Sequence, residues 1–252
     1  MLTMVPYTRD LILIGGGHAH ALVIKAWGMD PLSGARLTVV NPGPTAPYTG
    51  MLPGYVAGHY KRDELEIDLV RLCRHAGARL ILDKVVDINQ SRREVTLESR
   101  GTLAYDIASI DVGITAKLNV LGFADYGIGA KPLNMYADRW RSFLAQAVKG
   151  QSASDVAVIG GGIAGCELAM AMAFALRSVG VSPRVTVIES GPQITGVGGK
   201  ARQRMLMAMS DLGIVVKTYA KVVEVVSDQV LLDGQEPVAA VFCVGAAGGR
   251  AH

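Results

Sequence analysis

The chain has 252 residues and a formal net charge of +3, from 25 basic and 22 acidic side chains. A charge this near balance argues against a nucleic-acid partner, so none is expected. The three cysteines form no C-x-x-C pair, which excludes a local zinc or dithiol site and suits a cytoplasmic protein. The segment Met1–Asp10 lacks the basic and apolar regions of a secretory signal.

The first elements in chain order are a strand, a glycine turn, a helix and a second strand. Leu11–Ile14 is a short apolar strand, residues 15–17 are all glycine, and a helix follows over about His18–Trp27. Leu37–Val40 is a second, β-branched strand. A strand, a helix and a strand at this spacing predict a βαβ unit with two parallel strands.

The middle of the chain is more mixed. Pro47–Pro53 is apolar and rich in turn residues, and it fits either an ordinary surface loop or a functional one. The remaining pattern predicts a helix over Asp63–His75, strands over Leu80–Val86 and Glu94–Leu97, and a helix over Tyr136–Val148.

The opening pattern returns in the second half, as strand Val156–Ile159, helix Ile163–Val179 and strand Val185–Ile188. A helix over Gly199–Leu212 and short strands with a turn at Asp233-Gly234 complete the predicted elements.

The run Val156–Leu176 has an alternative interpretation. It carries one charged residue, Glu167, and Gly161 and Gly165 have the GxxxG spacing of packed membrane helices. Three consecutive glycines make a poor helix interior. We therefore favour strand, turn and helix, and expect no transmembrane span.

An internal duplication relates the two halves. Asp10–His20 matches Asp155–Gly165, and Arg36–Gly43 matches Arg184–Gly191 at nearly the same separation. A weaker third match pairs Ile110-Asp-Val-Gly113 with Phe242-Cys-Val-Gly245. The three matches predict an α/β fold with two Rossmann-like units around central parallel sheets.

The second glycine turn has the residues that a dinucleotide requires. Gly160 permits a tight turn, Gly162 leaves room for a pyrophosphate, and Gly165 lets the helix pack closely on the strand. The first helical residues, Ile163 and Ala164, would offer backbone N–H groups to the phosphates. Glu189 ends the next strand, where a carboxylate can bind a ribose and would repel a 2′-phosphate, so NADH is favoured over NADPH. The alternative is a glycine-rich turn without a ligand.

The first glycine turn departs from that pattern twice. Gly15 and Gly17 stand where a pyrophosphate needs them, but His20 replaces the third glycine and Asn41 replaces the acid. Asn41 can still bind a ribose, without charge. His18 and His20 raise a metal or proton-transfer alternative. Because no third ligand is near, we predict no metal and place both on the first helical turn, one facing phosphate.

These motifs resemble those of the two-dinucleotide-binding-domain flavoproteins, the pyridine nucleotide-disulfide oxidoreductase superfamily. Within it the chain looks like type II NADH dehydrogenases and sulfide:quinone oxidoreductases. G-G-G-H-A-H at 15–20, P-Y-T-G-M-L-P-G at 47–54 and A-G-H-Y at 57–60 are most similar to the dehydrogenase-like domain fused to selenide, water dikinase.

The resemblance implies FAD on the first unit, residues 1–117, and NADH on the second, residues 118–244. Residues 245–252 would begin a return to the FAD unit, and the remainder of that unit would be missing after His252. The FAD contacts implied by the resemblance are Gly15, Gly17, Ala19, Asn41, Val85, Asp111 and Gly113, with Gly50 and Met51 beside the flavin ring. It also implies a cofactor contact for Gly245, a place near the nicotinamide for Glu167, and a flavin contact for Lys131, the last two being the candidate catalytic residues.

The resemblance implies an FAD-dependent NADH oxidoreductase that passes hydride from NADH to flavin and on to a small-molecule acceptor, for which a quinone is the candidate. The C-x-x-x-x-C pair of the disulfide reductases is absent from the sequence, so no dithiol relay is expected.

The alternative function is a non-catalytic dinucleotide-binding or regulatory module. Fusion or association with selenide, water dikinase is a further implication. A third hypothesis is a cytoplasmic enzyme attached peripherally at the inner face of the membrane.

Overall fold

The computed structural model describes residues 6–116, 118–247 and 249–251. The chain divides into two compact units, unit 1 with Met1–Tyr48 and Asp63–Gly113, and unit 2 with Thr49–Arg62 and Ile114–His252. The predicted domain boundary at Lys117 lies outside the described residues, as do Gly248 and His252 of the predicted return segment.

The helices are α1 (His18–Met29), α2 (Leu52–Val56), α3 (Leu69–Ala76), α4 (Phe123–Tyr126), α5 (Leu133–Val148), α6 (Ile163–Ser178) and α7 (Gly199–Asp211). Up to residue 110 the strands are β1 (Arg9–Ile14), β2 (Ala35–Asn41), β3 (Thr45–Pro47), β4 (Glu66–Asp68), β5 (Arg79–Leu82), β6 (Val85–Asn89), β7 (Glu94–Leu97), β8 (Gly101–Ala104) and β9 (Ile107–Ile110). The later strands are β10 (Ile114–Ala116), β11 (Gly127–Gly129), β12 (Asp155–Ile159), β13 (Arg184–Ile188), β14 (Val215–Lys217), β15 (Val222–Val225), β16 (Gln229–Leu232), β17 (Gln235–Ala239), β18 (Phe242–Gly245) and β19 (Gly249–Ala251).

Unit 1 is built on a parallel sheet in the order β5-β2-β1-β9. Alternate residues of β1 point to opposite faces, as a strand requires. Leu13 packs with Ile24 of α1 and Cys73 of α3 on one face. Ile12 packs on the other face with Val95 of the antiparallel β6-β7-β8 sheet. Both faces of the central sheet are therefore covered, which explains the continuous apolar run of β1.

Unit 2 repeats this plan with a parallel sheet in the order β11-β18-β12-β13-β14. The antiparallel β15-β16-β17 sheet covers one face, where Val225 and Val230 pack with Ile159 of β12 and Ile188 of β13. Helix α6 contacts β12 and β13. Among the described residues, no helix has the length and apolarity needed to cross a membrane.

The fold class predicted from the sequence is confirmed. In both units the first strand enters the glycine turn, the helix follows it, and the second strand pairs in parallel with the first. An ion pair also recurs at the start of these strands, between Asp10 and Arg36 in unit 1 and between Asp155 and Arg184 in unit 2.

The third sequence match is wrong by three residues. Ile110 of β9 pairs with Ile14 of β1, and the residue that pairs with the corresponding Ile159 of β12 is Gly245. Ile110 therefore corresponds to Gly245, and the residue corresponding to Phe242 is Ile107. Of the Val-Gly dipeptides that suggested the match, the first lies beyond the end of β9, whereas the second ends β18.

Three element predictions also need correction. The helix predicted over Asp63–His75 is replaced at its start by a 3-10 turn and β4, and α3 begins at Leu69 because the Asp68 side chain accepts from the Arg71 N–H at 2.9 Å. The strand predicted over Leu80–Val86 breaks into β5 and β6 at Asp83, whose buried carboxylate accepts from the Lys84 and Ser99 N–H groups.

The third correction concerns the loop predicted over Pro47–Pro53, which contains a 3-10 turn over Thr49–Met51 and the start of α2.

Candidate dinucleotide-binding site

The glycine turn of unit 2 forms an open cradle. The Gly160 N–H donates to the Ile188 carbonyl at 2.8 Å, and its φ of +112° is one that glycine readily adopts. Gly162 caps α6, and a Cβ built on it would meet no atom of the described residues within 4 Å. No side chain in the described part of the chain caps this helix, and Ile163 and Ala164 of its first turn are exposed. The cradle thus offers space and free N–H groups where an anion is favoured.

The back of this cradle is tightly packed. A Cβ on Gly165 would collide with the Gly160 carbonyl oxygen, which is the close approach of helix to strand predicted for the third glycine. Glu189 holds the middle of the turn, since its Oε2 accepts from the Gly161 N–H at 2.8 Å and its Oε1 accepts from the Gly191 N–H at 2.7 Å. The carboxylate predicted to bind a ribose is therefore already oriented by the backbone.

Ile194 and Thr195 complete the turn of unit 2, and sequence analysis missed both. The Thr195 N–H donates to the Gly161 carbonyl at 2.8 Å, and the side chain of Ile194 fills the space beside Gly161. Both residues are buried. They belong to the glycine- and proline-rich stretch after Glu189, whose composition indicates a loop without showing that it folds back onto the turn.

The glycine turn of unit 1 has the same backbone path. Gly15 has a φ of +86°, and its N–H donates to the Val40 carbonyl at 2.8 Å. Asn41 Oδ1 accepts from the Gly16 N–H at 2.9 Å, and its Nδ2 donates to the Gly43 carbonyl at 2.7 Å. Asn41 thus accepts from the middle glycine of its turn, as Glu189 does in unit 2.

His20 is accommodated by hydrogen bonding instead of close packing. Its Nδ1 lies 2.7 Å from the Gly15 carbonyl oxygen, and its Nε2 lies 2.9 Å from Ser109 Oγ on β9. The ring is buried. Neighbouring His18 is exposed, and its ring centroid lies 6.1 Å from that of Tyr48. The described residues contain no cluster of three or more His, Cys, Asp or Glu side chains able to hold a metal ion.

Asp111 makes the two cradles different. Its Oδ2 accepts from the Ala19 N–H at 3.0 Å and from the His20 N–H at 3.1 Å, so a carboxylate caps the start of α1. A Cβ on Gly17 would collide with this carboxylate. The turn of unit 1 therefore differs from that of unit 2, because the N–H groups of Ala19 and His20 are engaged by an anionic side chain.

Other predicted contacts are distributed through both units. Val85 begins β6 of unit 1 and packs against the cluster around Val95. Gly113 is exposed, with a φ of +76°. Gly245 ends β18 of unit 2, where a Cβ would collide with Leu118.

A groove of about 390 Å³ in unit 2 brings Gly50 and Glu167 together. Glu167 is exposed on α6, and α2 packs against that helix. His59 lies on the same groove, with its ring centroid 5.4 Å from that of Phe174. Met51 precedes α2 and is half-buried.

Lys131 lines a separate cavity of about 560 Å³ in unit 2, beside Phe123 and Met135.

The three cysteine thiols are buried and protonated. Burial raises the pKa of Cys73 to about 11 and that of Cys243 to about 12. Burial raises the pKa of Cys166 to about 11, with the charges of Glu189 and Glu167 adding to the effect. A reactive thiol needs a lowered pKa and some exposure. The structure therefore supplies no thiolate next to the cradles.

The sequence matches the family described as pyridine nucleotide-disulphide oxidoreductase over residues 9–252. The chain is similar to the NADH dehydrogenase-like protein Rv1812c of Mycobacterium tuberculosis, with 29% identity over 189 residues, 70% of this chain and 46% of that protein. It is similar to the demethylphylloquinone reductase NdbB of Synechocystis sp., with 29% identity over 184 residues, 69% of this chain and 44% of that protein. The chain thus spans less than half the length of these curated relatives.

Solved structures share the fold. NDH2 from Plasmodium falciparum, solved in complex with NADH, superposes with a TM-score of 0.81 and 17% identity over 96% of this chain and 55% of that one. The sulfide:quinone oxidoreductase of Aquifex aeolicus superposes with a TM-score of 0.78 and 18% identity over 94% of this chain and 58% of that one.

Proposed function

Because the chain belongs to the pyridine nucleotide-disulphide oxidoreductase family, whose enzymes use FAD with NAD(P)H, we propose that it acts as an FAD-dependent NADH oxidoreductase. The observation that carries the proposal is the open cradle of unit 2. Within the described residues, Gly162 faces open space at the uncapped start of α6, and Glu189 directly follows the neighbouring strand.

We assign NADH to this cradle. The N–H groups of the first α6 turn would bind the pyrophosphate, since a helix N-terminus favours negative charge. Glu189 would accept hydrogen bonds from the adenosine ribose through its remaining lone pairs and would repel a 2′-phosphate. Gly160, Ile163, Ala164 and Gly165 would shape the cradle through their backbone.

We assign FAD to the cradle of unit 1. Gly15, Gly17, His18 and Ala19 would line the pyrophosphate site, with His20 supporting the turn. Asn41 would contact the ribose, while Val85, Asp111 and Gly113 would line the rest of the site. The backbone path of this turn supports the assignment, and the Asp111 carboxylate does not fit it in the position it occupies.

When bound, FAD would supply the redox chemistry, which is the capacity to take up hydride and release electrons. The residues of this chain would bind and orient the two cofactors. Gly50 and Glu167 share a groove, which supports their proposed places near the flavin ring and the nicotinamide. Met51, next to Gly50 in the chain, would also lie beside the flavin ring. Lys131 would contact the flavin from the different cavity that it lines. Gly245 would act near a cofactor through its backbone.

A quinone is the proposed acceptor, supported by the name of the Synechocystis reductase. A lipid-soluble quinone would be reached by peripheral contact with the inner face of a membrane from the cytoplasmic side, whereas a soluble quinone would need no membrane. Association with selenide, water dikinase is proposed on the sequence resemblance of residues 15–20 and 47–54.

The alternative function is a dinucleotide-binding module without turnover. The engagement of the α1 N–H groups by Asp111 favours it.

Incubation of the purified full chain with FAD, followed by removal of free FAD, tests the proposal. We expect retained flavin absorbance and loss of NADH absorbance when NADH and a soluble quinone are added. A protein that binds NADH but retains no FAD would support the module. A protein that binds neither would overturn both functions.

A further inference from the structure

Asp111 in unit 1 and Ala246 in unit 2 occupy corresponding positions. Each follows the strand on the far side of the first strand, after β9 and β18 respectively. The Asp111 N–H donates to the Ile14 carbonyl at 2.8 Å, and the Ala246 N–H donates to the Ile159 carbonyl at 2.9 Å. The two backbones therefore reach the ends of β1 and β12 in the same way.

The side chains at these positions have opposite consequences. The Asp111 carboxylate accepts from the N–H groups of Ala19 and His20 in the first turn of α1. The side chain of Ala246 has no polar atom, and no side chain of the described residues caps the first turn of α6. The space in front of Gly17 is filled by the carboxylate, whereas the described residues leave the space in front of Gly162 open.

A carboxylate and a pyrophosphate compete for the same N–H groups. Both are anions stabilised by the partial positive charge at a helix start, and both accept hydrogen bonds from the same donors. A dinucleotide entering the unit 1 cradle must therefore displace the Asp111 side chain or lie against its negative charge. Either event weakens dinucleotide binding to unit 1. In unit 2 the uncharged side chain of Ala246 does not oppose binding in this way.

His20 helps to hold Asp111 in this position. Its ring joins the Gly15 carbonyl to Ser109 Oγ, two residues before Asp111. The strand that carries the carboxylate is thus tied to the turn. Asp111 in turn accepts from the His20 N–H, so His20 contacts the strand through its ring and the carboxylate through its backbone.

We infer that Asp111 is a specificity-determining residue that lowers the dinucleotide affinity of unit 1 relative to unit 2. This inference rests on the proposed binding of FAD to unit 1. The carboxylate makes two charge-assisted hydrogen bonds to N–H groups that a dinucleotide would use. Removing the carboxylate should therefore strengthen FAD binding by about tenfold or more.

Titration calorimetry on the full chain tests the inference with reciprocal variants. Asp111→Ala should bind FAD about tenfold more tightly than the wild type, and Ala246→Asp should bind NADH about tenfold more weakly. Asp111→Asn is the second variant, to be used if Asp111→Ala does not fold. Its amide oxygen can still accept hydrogen bonds from the first turn of α1. It should also bind FAD more tightly, because it lacks the charge.

Asp106→Asn is the matched control. Its carboxylate accepts from the Asp10 N–H at 2.7 Å, away from the α1 first turn, so FAD affinity should not change. Equal or weaker FAD binding by Asp111→Ala and Asp111→Asn, with measurable wild-type binding, would overturn the inference and leave the proposed function standing. No FAD binding by any variant would overturn both the inference and the assignment of FAD to unit 1.

Discussion

Glu189 Oε2 accepts a hydrogen bond from the Gly161 N–H at 2.8 Å, so an acidic side chain at the end of β13 holds the middle residue of the glycine turn. Asn41 at the end of β2 does the same for Gly16. Asn41 also donates to the carbonyls of Gly43 and Thr45, which a carboxylate cannot do. Asn41 therefore suits the first copy because its side chain donates hydrogen bonds as well as accepting them, whereas Glu189 in the second copy only accepts.

Glu189→Ala should weaken NADH binding by about tenfold or more, because charge-assisted hydrogen bonds to the turn are worth roughly 1.5–3 kcal/mol. FAD binding should be unchanged, since the residue belongs to unit 2. Discrimination against NADPH should also fall, because the charge that repels a 2′-phosphate is gone. Titration calorimetry with NADH, NADPH and FAD measures all three effects.

Glu189→Gln is the control for this prediction. It keeps one acceptor oxygen for the Gly161 N–H and removes the charge, so it should lose less NADH affinity than the alanine variant while losing the same discrimination. Equal losses of NADH and FAD affinity in Glu189→Ala would contradict the assignment of NADH to unit 2.

The strand–turn–helix–strand parts of both units could be predicted from sequence. β1 and β12 are short β-branched runs that lead directly into three glycines, and those glycines exclude a continuous helix. The information is local: the residue types that form the turn are adjacent in the chain.

The remaining errors concern long-range pairing. The Val-Gly match failed because register is set by the partner strand, as with Ile110 beside Ile14 and Gly245 beside Ile159. The helix predicted from Asp63 begins only at Leu69 because the preceding residues pair with β3. Asp111 could be placed near a cofactor by resemblance, but its hydrogen bonds to α1 depend on a neighbour 92 positions away in sequence.

Gly162→Ala should abolish most NADH binding without harming the fold. A Cβ there meets no atom of the described residues within 4 Å, and the φ of −67° suits any residue. We expect the free energy of unfolding to change by less than about 1 kcal/mol. The methyl group would occupy the space that a pyrophosphate needs, so NADH affinity should fall by at least about tenfold. Calorimetry and urea denaturation provide the two measurements.

Gly165→Ala is the matched comparison, because its Cβ would collide with the Gly160 carbonyl oxygen. Overpacking of this kind costs about 1–3 kcal/mol, so this variant should lose stability as well as NADH affinity. If Gly162→Ala bound NADH as well as the wild type while remaining folded, the pyrophosphate would not lie at this turn.

The cysteines should resist modification in the native protein at pH 8. Burial raises the pKa of Cys73 and Cys166 from 9.0 to about 11, so little thiolate forms. An unfolded chain loses these protons first as the pH rises. The stability contributed by the buried thiols should therefore be complete below pH 9 and should decline as the pH rises to about 11. Maleimide labelling of native and urea-unfolded protein measures how far the fold protects the thiols. Labelling of the native protein as fast as the unfolded protein would contradict the prediction of protection.

Trp140→Phe should loosen α2, the helix that follows Gly50 and Met51. Trp140 on α5 is 2% exposed, and its Nε1–H donates to the Val56 carbonyl at 3.2 Å. Phenylalanine cannot donate, and an unsatisfied buried acceptor costs about 1–3 kcal/mol. Hydrogen exchange of the Ala57 N–H, which donates to the Pro53 carbonyl at 2.9 Å, should become faster.

Phe143→Leu separates this effect from a general loss of packing. Phe143 lies on the same helix and stacks on Phe242 with ring centroids 4.8 Å apart, an apolar contact in the same cluster as Trp140. This variant should lower the free energy of unfolding by roughly 1 kcal/mol while leaving exchange at Ala57 near the wild-type rate. Equal acceleration of that exchange in both variants would show that the Trp140 hydrogen bond does not stabilise α2. The groove shared by Gly50 and Glu167 would then depend on packing alone.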